Sequence, residues 1–217
     1  MDSENTHNYL KSGVDLSKAA NLKENMKSLL SKHQKEHNIG NFGGLFEIKD
    51  YKNPVLISST DGVGSKLLVY SELNKYNLLG QDLVNLSVND IVCIGAYPLF
   101  FLDYIAVEKI NEENILSIIQ GIVQACEENN CKLVGGETAQ MAEVYTEGKF
   151  DLAGFIVGIS EKNKIKNKAN TKNGDLLIGI PSNGIHTNGY SLVRKVFKIE
   201  QNKQILYEHF DELNSTL

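Results

Sequence analysis

The chain reads as an α+β protein: a mixed sheet packed with helices in an N-terminal domain, then the start of a second α/β domain. Three observations predict this. Apolar runs such as PVLISS, PLFFLDYIAV and FDLAGFIVGIS have the β-branched and aromatic content of strands. Between them, apolar residues recur at helical spacing. Finally, the composition turns Lys/Asn-rich over EKNKIKNKANTKNGD, Glu161 to Asp175, with little to bury, and a new strand–turn–helix pattern follows.

The elements follow in order. Asp15 to His37 is predicted helical, because Leu22, Met26, Leu29 and Leu30 fall at i, i+4, i+7 and i+8 while lysines and glutamates take the other faces. NIGNFGGLFEI is expected to be a glycine loop running into a short strand. Asn53-Pro54 marks a turn, and Pro54 to Ser59 a strand, with DGVGS closing its C-terminal end. Ser65 to Tyr76 fits a helix. QDLVNLSVNDIVCIGA reads as a buried helix and PLFFLDYIAVEKI as a strand. Asn111 is a candidate N-cap, with Glu112 and Glu113 in a first turn where the helix dipole favours acids. Ile115, Ile118, Ile119, Ile122, Val123 and Cys126 then form a stripe to about Asn130. CKLVGG is expected to be a strand ending in paired glycines, and FDLAGFIVGIS another strand. DLLIGIPSNGIHTNGYSLVRKVF reads strand, turn, helix. The domains are therefore placed at residues 1–165 and 166–217.

Composition bounds the function. The 217 residues carry a net charge of -5, so the chain offers no broad basic field for nucleic acid. An anionic ligand would need local help from backbone N–H groups, a lysine or a metal. The first residues have no apolar signal core, and no apolar run approaches a bilayer span. Three cysteines, Cys93, Cys126 and Cys131, without a Cys/His pair to complete a zinc site, read as reduced thiols. The expected compartment is the cytoplasm.

Three strand ends look alike: Ser59-Thr60-Asp61-Gly62-Val63-Gly64, Gly135-Gly136-Glu137-Thr138, and the run Asn183 to Gly189 with His186 inside it. Glycines there let backbone N–H groups approach a ligand closely. DGVGSK is neither the Walker loop nor the dinucleotide fingerprint. Carboxylates beside a phosphate would repel it unless Mg²⁺ bridges them, which makes Asp61, Asp90 and Glu137 candidate metal ligands. Asp82, Asn85 and Asn89 lie on one helix face, readable also as a polar seam between helices. His186 is either a loop histidine or a substrate contact.

In order, GVD at 13–15, FGGL at 42–45, STDGVGSKL at 59–67, DLVNLSVNDIV at 82–92, PLFFLDYIA at 98–106, LVGGETAQM at 133–141, DLAGFIVGI at 151–159 and HTNGYSLVRK at 186–195 resemble the phosphoribosylformylglycinamidine cyclo-ligase (aminoimidazole ribonucleotide synthetase) family. The resemblance covers nearly the whole chain. It implies ATP-dependent ring closure of formylglycinamidine ribonucleotide through an iminophosphate, with Mg²⁺, in a homodimer that joins its sheets. Asp61, Lys66 and His186 are the implied catalytic residues. Gly43, Gly44, Thr60, Gly62, Gly64, Ser65, Asn89, Glu137 and Asn188 are the implied nucleotide-binding residues. Lys66 is expected to reach phosphate as a mobile charge. Ser65 stands where the family commonly has threonine, Gln140 where it often has glutamate and Ala142 where it often has proline. The family's C-terminal domain is expected to continue beyond Leu217, so this chain is expected to turn over weakly or not at all. A small-molecule kinase of the same superfamily and a non-catalytic nucleotide-binding or dimerisation module are the alternatives.

Overall fold

The computed structural model describes residues 16–33, 43–166, 171–213 and 215–217. Helix α1 spans Leu16–His33; Asp15 and residues 34–37, which the periodicity includes in it, lie outside the described residues, as do the GVD motif and Phe42. Strand β1, Pro54–Gly62, is followed by α2, Lys66–Glu72, and α3, Tyr76–Val92. Then come β2 (Tyr97–Val107), α4 (Glu112–Glu128), β3 (Lys132–Gln140) and β4 (Phe150–Glu161). Three short helices, α5 (Tyr190–Val196), α6 (Ile205–Glu208) and α7 (Phe210–Leu213), complete the chain.

The four strands form one mixed sheet in the order β1-β4-β2-β3. β4 runs antiparallel to both its neighbours, and β2 runs parallel to β3. The parallel pair is joined by α4, the crossover such a pair requires. All six residues of the predicted α4 stripe are buried, each contributing roughly 1.5–3 kcal/mol for the larger apolar side chains relative to exposure. Asn111 caps the helix as expected, its side chain accepting from Asn114 N at 3.1 Å, a contact whose loss costs about 1 kcal/mol. Helices α3 and α4 cross at backbone distance. A methyl group on Gly80 would run into Ile118 O, and one on Gly121 into Asn77 O.

The main core lies between the sheet and these helices, with α1 packed beside it. A second cluster joins Val69 of α2 and Leu73, just past its end, to Tyr190, Ile199, Leu206 and Leu213.

Several elements differ from expectation. β1 runs through Asp61 to Gly62, because pairing with β4 continues to Gly62↔Ala153. β3 likewise runs through Gly135-Gly136 to Gln140, paired with β2. The second predicted glycine turn is thus strand interior, and the first turns only at Gly64, past the end of the strand. The helix predicted over Ser65 to Tyr76 stops at Glu72, Asn74 takes a left-handed φ of 54°, and α3 already opens at Tyr76, ahead of the predicted Gln81. No strand forms at residues 44–49 or 175–180. Over the latter, Leu176, Leu177, Ile178 and Ile180 are almost fully exposed: an apolar run becomes a strand only where another strand takes its backbone groups, and none lies beside it among the described residues.

Candidate functional site

Strand register assembles the acids in a way that spacing along the chain does not show. Asp61 pairs with Gly154, Gly154 with Asp103, and Asp103 with Gly136. One row thus crosses the whole sheet on its helix-covered face, alternating aspartate and glycine. The glycines make the room. A Cβ on Gly136 would collide with the Asp103 carboxylate, and one on Gly154 with the Phe101 ring. Asp103 is 6% exposed, and its Oδ2 has no hydrogen-bond partner. Burial first, then the nearby charge of Glu137, push its carboxyl up to about 7, against a backbone hydrogen bond that favours the charged form.

A cavity of about 420 Å³ opens beside this row, between α1 and β3. Asp103, Glu137 and Thr138 line one side, and Lys23 and Lys27 of α1 the other. Thr138 Oγ1 is buried without a partner. Gly44 runs close to β3, where a Cβ would lie 2.8 Å from Val134 Cγ2, while Gly43 is in open space.

At the other edge, Asp90 on the last turn of α3 accepts from Ser59 Oγ at 2.7 Å. Ser59 and Asp61 are two apart in β1 and so share a face. Asp61 Oδ1 accepts from Gly62 N at 2.7 Å. Thr60 is spent on structure, its hydroxyl donating to Gly154 O at 2.8 Å. Gly64 turns the chain with φ 65° and accepts from Leu67 N at 3.2 Å. The next residue, Ser65, lies with its Oγ 3.2 Å from Ser191 Oγ. That contact joins the DGVGS turn to HTNGYS, so the first and third glycine motifs do meet. His186 holds a left-handed φ of 60° and its ring contacts Asn183 Oδ1 within its own loop. Asn188 and Asn89 are exposed.

Two predicted placements are corrected. Lys66 is not a mobile charge: it is fully buried, ion-paired with the equally buried Asp82 at 2.6 Å. Its ammonium also sits 4.7 Å from the Tyr70 ring centroid. Burial draws Lys66 downward and Asp82 upward in pKa, and their mutual attraction opposes both shifts. Nor do Asp61, Asp90 and Glu137 gather round one ion. Asp61 and Glu137 stand on the two edge strands, three spacings or roughly 14 Å apart. Among the described residues, no cluster of three or more His, Cys, Asp or Glu could hold a metal. Asp61 and Asp90 each have one oxygen engaged, by Gly62 N and Ser59 Oγ respectively.

The AIR synthase related protein N-terminal domain matches residues 44–160, more than half of the chain. The chain belongs to the AIR synthase-related family. It is 46% identical over 213 residues to the phosphoribosylformylglycinamidine cyclo-ligase of Thermoanaerobacter pseudethanolicus, covering 97% of this chain and 63% of that protein. Against the protein of the same name from Alkaliphilus oremlandii it is 46% identical over 215 residues, covering 96% and 62%. The chain thus spans a little under two thirds of the length of these relatives. Two solved structures share the fold at low identity. Thiamine-monophosphate kinase from Stenotrophomonas maltophilia has a TM-score of 0.50 at 16% identity, covering 66% of this chain and 43% of that one. The E. coli hydrogenase maturation protein HypE has a TM-score of 0.51 at 10% identity, covering 69% and 47%.

Within this AIR synthase-related domain, sequence reasoning missed Asp103. Its signal was present, as the one acid inside PLFFLDYIAV. A lone carboxylate in an apolar strand is costly to bury and so marks a site or a partner. Among the described residues, no helix is long and apolar enough to cross a membrane, and Cys93, Cys126 and Cys131 are free thiols.

Proposed function

We propose that this chain is the N-terminal part of an enzyme that closes formylglycinamidine ribonucleotide to aminoimidazole ribonucleotide in purine biosynthesis, using ATP. Identity of 46% over nearly the whole chain to proteins named for that reaction carries the reading. Residues 1–165 form the ATP-binding and dimerisation domain, and 166–217 begin a second.

In this reading, ATP gives its γ-phosphoryl to the substrate's amide oxygen and leaves as ADP. The amidine nitrogen attacks the activated carbon, the C–O bond breaks with phosphate as leaving group, and the nitrogen loses a proton. Bound on the phosphates, Mg²⁺ would supply charge neutralisation, and Asp61 and Asp90 are the residues to hold it. The edge that carries Asp61 and Asp90 is then the place for the nucleotide's phosphates. The cavity under α1, at the opposite edge, combines Lys23 and Lys27 with apolar walls from Leu22, Met26 and Leu133. The Gly64–Ser65 turn and the adjoining His186–Asn188 loop face the ribonucleotide. Holding both reactants on one rigid sheet supplies proximity for a cyclisation within one molecule.

The sheet face away from the helices exposes Leu56, Tyr97, Tyr104 and Phe155. Register sets Leu56 and Tyr97 on either side of Ile159, and Tyr104 beside Ala153, two residues from Phe155. A second copy of the chain covers this face in a homodimer, because single strands of a two-faced sheet rarely leave such residues in water.

Titration calorimetry with ATP and Mg²⁺, then with substrate added, tests the reading. ATP binding is expected, with ring closure weak or absent. A phosphorylated product accumulating uncyclised would mean a kinase, and no Mg-ATP binding would remove the nucleotide site. Asp61→Asn is expected to weaken Mg-dependent binding by about tenfold or more, the effect of losing one charged contact; unchanged affinity would take Asp61 out of the metal site.

A further inference from the structure

The buried polar group made by Lys66, Asp82 and Asn85 serves neither the acid row nor the cavity. What it touches is main chain. Lys66 Nζ donates to Ser215 O at 2.7 Å. Asp82 Oδ1 accepts from Leu217 N at 3.0 Å. Asn85 Nδ2 donates to Leu217 O at 2.9 Å. Tyr190 donates from its hydroxyl to Leu213 O. Asp82 and Asn85 are one helical turn apart on α3, so their side chains clasp the N–H and C=O of a single residue. Donor, acceptor and donor thus match the O, N–H and O of residues 215–217, with no requirement on the side chains carried there.

The group is held in place by its neighbours. Asn85 Oδ1 accepts from Asn129 Nδ2 at 2.8 Å, and Asn129 in turn bonds Ala125 O at 2.8 Å, which sets the amide of Asn85 outward. The Tyr70 hydroxyl bonds the Asp82 carboxylate, and the Lys66 ammonium sits 5.4 Å from the Tyr190 ring centroid. A buried lysine–aspartate pair costs more to desolvate than a surface pair returns. Further hydrogen bonds on the same groups offset that cost, and residues 215–217 supply two of them to the pair.

Lys66 also follows directly on the Gly64–Ser65 turn, and α2, which it opens, shares its second core cluster with Tyr190 and Leu213. We infer that Lys66, Asp82 and Asn85 form a backbone-reading clamp that seats residues 215–217 on α2 and α3 and, through Lys66, holds the Gly64–Ser65 turn in place. These are positioning residues. The inference rests on hydrogen bonds alone and stands whether or not the chain closes an imidazole ring.

Amide hydrogen exchange by NMR on the full 217-residue chain tests it. In the unaltered protein the Leu217 amide is expected to exchange at least about tenfold more slowly than in an unstructured peptide. Asn85→Ala, which removes one donor and leaves the ion pair, is expected to abolish most of that protection. It should also speed exchange of the Leu67 amide, bonded to Gly64 O across the turn, while Ile122 in the main core stays unchanged. Tyr190→Phe, which keeps the ring, should speed Leu217 to a smaller degree. Leu217 exchanging at the peptide rate in the unaltered protein would overturn the clamp. Leu67 remaining unchanged when Leu217 is released would overturn the coupling to the turn. The first measurement needs no variant, so a variant that fails to fold does not shelter the proposal.

Discussion

Replacing Asp82 by leucine leaves the Lys66 ammonium at zero exposure without a counter-ion. Breaking a buried pair from one side costs about 3–5 kcal/mol, because the remaining charge has lost both water and its counter-ion. For a chain of this size each kcal/mol moves Tm by roughly 2–4 °C, so Asp82→Leu is expected to lower it by roughly 6–20 °C. Lys66→Met should cost a similar amount, now by stranding the carboxylate. The double variant removes both charges and fills similar volume, so it should return to within about 2 kcal/mol of the original. The tyrosine rings around the pair already supply apolar surface for it. Urea unfolding at pH 7 on the four proteins closes a double-mutant cycle, with a coupling of several kcal/mol expected. Single variants that each cost under about 1 kcal/mol, or a double variant as unstable as the sum of the singles, would refute the reasoning.

Other outcomes follow from the same structure. The fold favours protonated Asp103, so its contribution to stability is whole below the ordinary carboxyl value near 3.8 and fades as pH rises through about 7; the loss approaches roughly 4 kcal/mol. Denaturant titrations at pH 4.5 and 7.5 should show this decline, and Asp103→Asn should flatten it. Gly121→Ala drives a methyl into Asn77 O and must spread α3 from α4, at about 3 kcal/mol, the upper end for overpacking. Thermal melts would show it, and a neutral result would mean the helices are not in backbone contact. For the proposed homodimer, Phe155→Glu on the exposed sheet face should convert dimer to monomer in sedimentation velocity with little change in circular dichroism. If the chain stays dimeric, the second copy sits elsewhere.

Most of the elements were legible because their signals are local. The α4 stripe and its Asn111 cap arise within one helix, so counting along the chain finds them. Likewise, PLFFLDYIAV and FDLAGFIVGIS became strands where their apolar content placed them. The misread places are those where a long-range partner decides. Gly135-Gly136 looked like a turn, yet lies inside β3 because β2 pairs with it and Asp103 needs the space. DLLIGI looked like a strand and is not one, for want of a neighbouring strand among the described residues.

The candidate site divides along the same line. By itself, the sequence determined which residues could carry chemistry, the family that they point to, and that DGVGS and HTNGYS are both glycine-shaped motifs. Only the tertiary structure decided their company. It set Ser65 against Ser191, lined up Asp61 and Asp103 in one row, put Glu137 on the opposite edge from Asp61, and withdrew Lys66 into an ion pair with Asp82. Residue type is a property of one position, whereas strand order, register and burial depend on contacts between residues far apart in the chain, which no local pattern encodes.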